Sequence, residues 1–231
     1  MSNEIYIQFP LFLMRDFFTD TVKTVEKMLW YGHWRLCIKT DRQLSDFISS
    51  GNFKRIEDIA KDIERLIEAG EPMPMVKAKH LWDFREGEKT ESDKAQLAAY
   101  IAIGSIVGKR PYAKTNKQHI VSRMFGFSSH KAIPNKLQPT IKGLLCKYSL
   151  RYHIDKLIQE LELNWHVCTY SHHMRGIYVG IGVNKDTLAL AGESKKKKIK
   201  IAQLKKGKSE AREKALKMIE QHLNKGEQLN K

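Results

Sequence analysis

The chain contains few cysteines, no long apolar run, and fewer acidic than basic side chains. Its three cysteines, Cys37, Cys146 and Cys168, are an odd number among 231 residues and form no C-x-x-C pair. Small secreted domains without a large core depend on several paired cysteines. A disulfide framework is therefore not expected, and the cysteine content favours a reducing compartment.

The longest uncharged apolar run covers residues 95–108 and has only fourteen residues. A helix that spans a membrane needs about 20 residues, so this run predicts a buried core helix instead. The first residues lack the basic stretch of a signal peptide, and Pro10 interrupts the apolar residues that follow. We therefore expect a cytoplasmic protein without membrane contact, associated with the nucleoid if the source is bacterial.

Basic residues outnumber acidic ones, 41 to 26, which gives a formal net charge of +15. The excess is uneven, because residues 1–90 carry a net charge of −1, residues 91–194 carry +7 and residues 195–231 carry +9. Such asymmetry raises affinity for a polyanion, either nucleic acid or an anionic lipid surface. A solubilising tail on an ordinary domain is the alternative. We predict three regions with these bounds.

Apolar residues with helical spacing occur through most of residues 1–90. The spacing predicts helices at residues 16–28 and 55–69, and Thr40 with Gln43 forms a capping-box pattern between them. We place an approximate boundary between two regions of the chain near Thr90. We expect this charge-balanced helical region to mediate self-association or contact with a protein partner.

The spacing of apolar residues in 91–194 predicts further helices and then changes from helical to alternating. Ser92 is expected to cap a helix at 93–107, and Thr115 with Gln118 to open a short helix that Gly126 ends. Ser149 is expected to cap an amphipathic helix that runs to about residue 163. Alternating residues at 165–170 and 177–183 then predict a β-hairpin. A short helix is expected at 185–191, before the basic tail, and helical spacing at 209–222 predicts that the tail is partly ordered.

The order of three helices and a hairpin resembles a winged helix-turn-helix module, over about residues 92–183. The segment at 119–133, HIVSRMFGFSSHKAI, is similar to the helix, glycine turn and second helix start of that superfamily. The resemblance implies DNA binding, with the helix before the hairpin in the major groove and the hairpin as a wing on the backbone or minor groove. We expect a mostly α fold with a small β-hairpin: a helical N-terminal region, a winged-helix module and a basic helical tail.

Four groups of side chains are candidates for contact with nucleic acid. On the 149–163 helix, the face opposite the apolar stripe carries Tyr152, Asp155, Lys156 and Gln159, with Arg151 on a flank. Apart from Asp155, which could accept from a cytosine amine or pair with Arg151, these are groups that can reach base edges or phosphates. The resemblance to the winged helix implies further contacts from the hairpin tip and from residues near the start of the helix-turn-helix. The lysines of the tail would bind phosphates without regard to sequence. The candidates are Arg151, Tyr152, Lys156 and Gln159; His172, His173 and Arg175; Lys114, Lys117, Arg123 and Lys131; and Lys195, Lys196, Lys197 and Lys198.

The chain departs from the superfamily pattern at one place. Twenty-two residues, 127–148, separate the second helix from the helix before the hairpin, where the superfamily has a short turn. Either a helix is inserted at about 140–147, or residues 128–133 read the bases and the 149–163 helix is scaffold. Pro134 leaves the 128–133 segment less than two turns long, which favours the inserted helix.

Enzyme, cofactor and metal signals are weak throughout. Residues 202–209 match a relaxed phosphate-loop pattern, but a Lys-rich stretch stands where a buried strand is needed. His166 and Cys168 share one side of a strand, whereas the other histidines of the hairpin lie at its tip. No paired carboxylates or nucleophile motif occur in residues 91–194. We therefore expect a non-enzymatic protein without catalytic residues, metal or cofactor.

The leading hypothesis is a DNA-binding protein that serves transcription regulation or the replication and maintenance of a mobile element. Two alternatives stay open. An RNA-binding accessory factor could stack bases on Tyr152, Tyr170 and Tyr178. A protein-protein adaptor would use the winged-helix surface as a scaffold only.

Overall fold

The computed structural model describes residues 5–40, 53–171 and 176–228. These residues form eight α-helices: α1 Thr21–Thr40, α2 Phe53–Arg65, α3 Ala78–Arg85, α4 Glu91–Val107, α5 Lys117–Met124, α6 Pro139–Ser149, α7 Arg151–Asn164 and α8 Lys185–Gln228. They also form five short strands: β1 Tyr6–Gln8, β2 Met75–Lys77, β3 Tyr112–Thr115, β4 Val167–Ser171 and β5 Ile177–Ile181. The mostly helical class is confirmed, but the β content exceeds the single hairpin that the sequence predicts.

The first long helix begins later than its apolar stripe predicts. The helix expected at 16–28 starts at Thr21, and Leu11–Asp16 forms a 3₁₀ helix before it. The Asp20 carboxylate accepts a hydrogen bond from the backbone N–H of Lys23 at 3.3 Å. This side chain caps the helix and fixes its start, so the predicted start at residue 16 is wrong.

The cap of α4 is Thr90, two residues before the predicted Ser92. The Thr90 hydroxyl accepts from the backbone N–H of Asp93 at 3.2 Å, and the Asp93 carboxylate accepts from the backbone N–H of Thr90 at 2.9 Å. This reciprocal pair is a capping box. The hydrogen bonds from Thr90 lower the pKa of the Asp93 carboxyl.

Two further capping predictions have different outcomes. Thr115 does not cap α5, because it belongs to β3, and Asn116 accepts from the backbone N–H of His119 at 2.8 Å instead. Thr40 is the last residue of α1. Its predicted partner Gln43 lies outside the described residues.

A helix is present between α5 and α7, as the first alternative for the long spacer predicts. α6 begins at Pro139, which occupies the first helical turn, where a missing backbone N–H is harmless. Ile141 and Tyr148 are its buried residues. Residues 130–132 form only a single 3₁₀ turn, and none of them is buried.

A single residue, Leu150, joins α6 to α7. Its backbone is extended and its side chain is 61% exposed. Ser149, the predicted cap of α7, is the last residue of α6, and its hydroxyl donates to the Leu145 carbonyl at 2.7 Å. The prediction of that cap is wrong, whereas the apolar stripe of α7 is confirmed. Its buried residues are Ile154, Leu157, Ile158 and Leu161.

The predicted hairpin is confirmed and gains a third strand. β4 and β5 pair antiparallel with Val167 opposite Ile181. β4 starts two residues later than predicted, because Trp165 closes α7 and His166 adopts a positive φ of 51°. β3, which the sequence analysis did not predict, pairs with the other edge of β5, so the strand order is β3-β5-β4. β1 and β2 form a separate two-stranded antiparallel sheet.

The apolar core contains buried side chains from Ile7 to Val179. α4 contributes residues from nearly its whole circumference, as the uncharged run predicts, and packs against α5, α7, β2, β3 and β5. The chain divides into two compact units, Met1–Leu188 and Ala189–Lys231. The predicted regions 1–90, 91–194 and 195–231 stay a prediction.

α8 is one continuous helix where the sequence predicts a short helix and a partly helical tail. Side chains at 200–218 are all exposed. Two pairs at i, i+4 support the helix, Lys206 with Glu210 at 3.8 Å and Glu213 with Lys217 at 3.0 Å. No helix in the described ranges has the length and apolar character to cross a membrane.

Candidate nucleic-acid interface

The four candidates on α7 are all exposed. Arg151 is 89% exposed at its side chain, Lys156 is 64% exposed, Tyr152 is 72% exposed and Gln159 is exposed. The apolar stripe on the opposite face holds α7 against α4 and β4. Tyr152, Lys156 and Gln159 therefore share the outward face, with Arg151 on its flank, as the helical wheel predicts.

The positive charges near α7 have acidic partners. Asp155 forms an ion pair with Lys117 of α5, and Arg151 Nε lies 3.5 Å from the other oxygen of the same carboxylate. Lys156 Nζ lies 4.0 Å from Glu160 Oε1. With three carboxylates and two cations, α7 has a net charge of −1. Exposed pairs of this kind are worth at most about 1 kcal/mol, but together they leave α7 without a net positive field.

Glu160 and Glu162 of α7 also bond to neighbouring elements of the fold. Glu160 Oε2 accepts from the Ser92 hydroxyl at 3.2 Å and from Gln96 Nε2 at 3.3 Å, both on α4. Glu162 Oε1 accepts from the backbone N–H and the hydroxyl of Thr169 on β4, at 3.0 and 2.6 Å. These bonds fix α7 between α4 and the hairpin.

The candidates at the entry to α5 are not on one surface. Lys114 is exposed on β3, opposite Tyr178. Arg123 is half-buried, and its Nε donates to His119 Nε2 at 3.1 Å. Burial lowers the pKa of Arg123, and burial together with the charge of Arg123 lowers the pKa of His119. Arg123 therefore points into the fold and does not join the exposed candidates.

A polar cleft lies between α7 and the three-stranded sheet. Its volume is about 300 Å³, and its polar lining comes from α5, α7, β4 and the start of α8. Lys117, Gln159, Tyr170 and Lys185 are among the lining residues. The cleft separates the outward face of α7 from the strands that lead to the hairpin tip.

Several candidates cannot be placed by their side chains. His172, His173 and Arg175, the candidates at the hairpin tip, lie outside the described residues. Lys195, Lys196 and Lys197 lie in α8, but only its backbone is described there. Lys198 is exposed on α8, and Lys131 is exposed in the 3₁₀ turn before α6. Within the described ranges, no group of three His, Cys, Asp or Glu residues is arranged to hold a metal ion.

No family model, curated protein or solved structure matches this chain.

The sequence analysis missed a long segment without acidic residues. Residues 94–154 contain eleven Lys and Arg residues and no Asp or Glu. The segment includes four exposed lysines on α6 and in the loop before it, which we call the α6 lysines: Lys131, Lys136, Lys142 and Lys147. Among the described residues, no carboxylate oxygen lies within 4.0 Å of any of them. A count of acidic residues in sliding windows would have identified this segment.

Proposed function

We propose that the chain is a non-enzymatic DNA-binding protein that contacts duplex DNA through a winged-helix-like module in residues 91–194. The observation that carries the proposal is the charge distribution, +7 in that range and −1 in residues 1–90. The order α4, β3, α5, α6, α7 and hairpin supports it, because helices followed by a paired hairpin are the order on which the winged-helix resemblance rests. Helices of this size fit the major groove of B-DNA.

The basic C-terminal segment adds affinity that does not depend on sequence. Residues 195–231 carry a net charge of +9, and the described part of the segment is a helix with exposed lysines. Each lysine that neutralises a phosphate releases a counterion, which makes binding strongly dependent on salt. The charge-balanced N-terminal region is proposed to contact a protein partner or a second copy of the chain.

Fluorescence anisotropy with short labelled duplexes tests the proposal. For six to ten phosphate contacts, affinity should fall about 10³- to 10⁵-fold between 50 and 200 mM salt. A chain that ends at Ser194 should show a shallower dependence of log K on log salt and keep any preference among duplex sequences. Absence of duplex binding at low salt would refute the proposal.

Competition with RNA separates this function from the RNA-binding alternative. Of the three tyrosines considered for base stacking, Tyr152 is exposed, Tyr170 is half-buried and Tyr178 is only 5% exposed. An RNA-binding surface built on all three would require Tyr178 to leave the core. We expect a duplex DNA competitor to displace the probe at lower concentration than a structured RNA of equal length, and the reverse order would favour the RNA alternative.

A role in transcription regulation or in the replication and maintenance of a mobile element is part of the proposal. Both roles require a preferred DNA site. Selection of binding sequences from a random duplex pool at about 150 mM salt tests this requirement. Enrichment of one motif is the expected result, and an unenriched pool would leave only non-specific phosphate binding.

A further inference from the structure

α6 presents a broad exposed face that nothing in the described chain covers. Ile141 and Tyr148 point inward, and Leu144 and Leu145 are half-buried. With residues about 100° apart around a helix, the opposite side carries four exposed residues near the middle of the helix. They are Lys142, Gly143, Cys146 and Lys147.

Charge distinguishes α6 from α7. α6 contains two lysines and no carboxylate, and the loop before it adds Lys131 and Lys136. The cations of α7 lie within 4.0 Å of carboxylates, and its remaining acidic groups bond to α4 and β4. A phosphate approaching α6 therefore meets lysines that no described carboxylate pairs with, whereas a phosphate approaching α7 meets cations that already pair with carboxylates.

Gly143 is an unusual residue for its position. It lies in the interior of α6, on the exposed face, where glycine destabilises a helix relative to alanine. Its backbone does not have the positive φ that favours glycine. A Cβ built on it would meet no atom within 4 Å. Nothing inside the described chain therefore requires a glycine there, but a partner that approaches the helix backbone closely would.

We propose that α6, together with the α6 lysines, is the element that lies against the DNA, and that α7 is the scaffold that holds it. This inference rests on the proposed function. Lysine contacts to phosphate position a helix on the duplex, and the missing side chain at Gly143 lets the DNA come close to the backbone. The reading element then differs from both candidates of the sequence analysis, residues 128–133 and 149–163.

Matched double variants of the full chain test the assignment. Lys136→Ala with Lys142→Ala removes two exposed positive charges before and on α6, and Arg151→Ala with Lys156→Ala removes two from α7. In duplex titrations we expect the first pair to weaken binding at least about tenfold at 0.1 M salt and to lower the salt slope by about 0.9 per lost contact. The second pair should change affinity less than about threefold.

The outcomes separate this inference from the proposed function. If the wild type binds duplex DNA and the α7 pair causes the larger loss, the inference fails and the proposed function stands. If the wild type binds no duplex at low salt, both fail. Circular dichroism spectra and melting curves for both variants establish that they are folded, which is expected because all four side chains are exposed.

Gly143→Ala gives a second test with opposite effects on folding and binding. Because alanine favours a helix interior and nothing in the fold contacts the new Cβ, the melting temperature should rise by about 2–4 °C. The added methyl group should still weaken duplex binding by several fold. A higher melting temperature with unchanged affinity would overturn the close approach.

Cys146 offers a direct readout on the same face. It is exposed, whereas Cys168 on β4 is partly buried. Alkylation of Cys146 by N-ethylmaleimide, followed by mass spectrometry, should slow at least about fivefold when saturating duplex is present. Cys168 serves as the internal reference. Equal rates for Cys146 with and without duplex would contradict the placement of α6 against the DNA.

Discussion

Acidification is expected to destabilise the fold through His33. This residue of α1 is 4% exposed, and burial lowers the pKa of its imidazole from 6.5 to about 4. In the unfolded chain the ring takes up a proton near pH 6.5, whereas in the folded chain it stays neutral down to about pH 4. Because the unfolded state binds more protons between these values, stability is complete above pH 6.5 and falls as the pH decreases.

The size of this effect follows from the difference between the two pKa values. One unit corresponds to about 1.4 kcal/mol, so His33 should cost about 2 kcal/mol of unfolding free energy at pH 5 and about 3 kcal/mol below pH 4. This loss is a large fraction of the roughly 5–15 kcal/mol by which a typical domain is stable.

Urea unfolding at pH 7.5 and pH 5.0 measures the contribution. The His33→Gln variant lacks the titrating ring, so its loss of stability between the two pH values should be about 2 kcal/mol smaller than that of the wild type. His130→Gln, at an exposed histidine, is the matched control and should behave like the wild type. The reasoning is refuted if wild type and His33→Gln lose the same unfolding free energy.

Three further variants test local features of the fold by thermal or urea unfolding. Thr90→Ala removes the capping box of α4 and should lower the unfolding free energy by about 1 kcal/mol; an unchanged midpoint would show that the cap is dispensable, and Thr90→Ser, which keeps the capping hydroxyl, is its control. Gly126→Ala should lower the unfolding free energy by about 2 kcal/mol or more. Gly126 has a φ of 77°, and a Cβ there would lie 2.8 Å from the backbone nitrogen of Arg15. A variant as stable as the wild type would contradict this packing. His166 has a positive φ of 51°, which glycine tolerates better than other residues. His166→Gly should therefore raise the unfolding free energy by up to about 1 kcal/mol, and His166→Val should lower it by about the same amount. A valine variant more stable than the glycine variant would argue against that backbone conformation.

The amphipathic helices and the hairpin were predictable because their signals are local. Ile154, Leu157 and Leu161 repeat at helical spacing, and that face of α7 is buried. Ile177 and Val179 alternate, and both are buried on β5. On α7 the periodicity that indicates the helix also selects the face that enters the core, whereas on β5 Tyr178 and Gly180 of the other face are buried as well.

The elements that were missed depend on partners distant in sequence. β3 has only four residues, and its place in the sheet comes from pairing with β5, more than sixty residues later. α6, in contrast, was predicted as one of two alternatives at about 140–147, and its half-buried or buried residues Ile141, Leu144, Leu145 and Tyr148 repeat at helical spacing. The helix caps were misplaced by one or two residues, since neighbouring Ser, Thr and Asn residues are all competent caps and packing selects one.

The candidate interface was predictable in charge but not in detail. The basic character of residues 91–194 follows from composition alone. The pairing of Lys117 with Asp155 brings two helices together and could not be read from spacing. The burial of Arg123 also depends on how α5 packs and could not be read from spacing. Its hydrogen-bond partner His119 lies one turn earlier on the same helix.

The single-residue junction at Leu150 has a consequence for how chain length can vary. Leu150 is the one extended residue between the two helices, so one inserted or deleted residue there would change both the position and the direction of α7 relative to α6. Ile141 of α6 and Ile154 of α7 could then no longer both face the core. Side chains on the outward face of α6 are free to change, whereas the length of the chain between these two helices is not. If the proposed function holds, altered DNA preference would arise through substitution on α6, with insertions confined to loops such as residues 133–138.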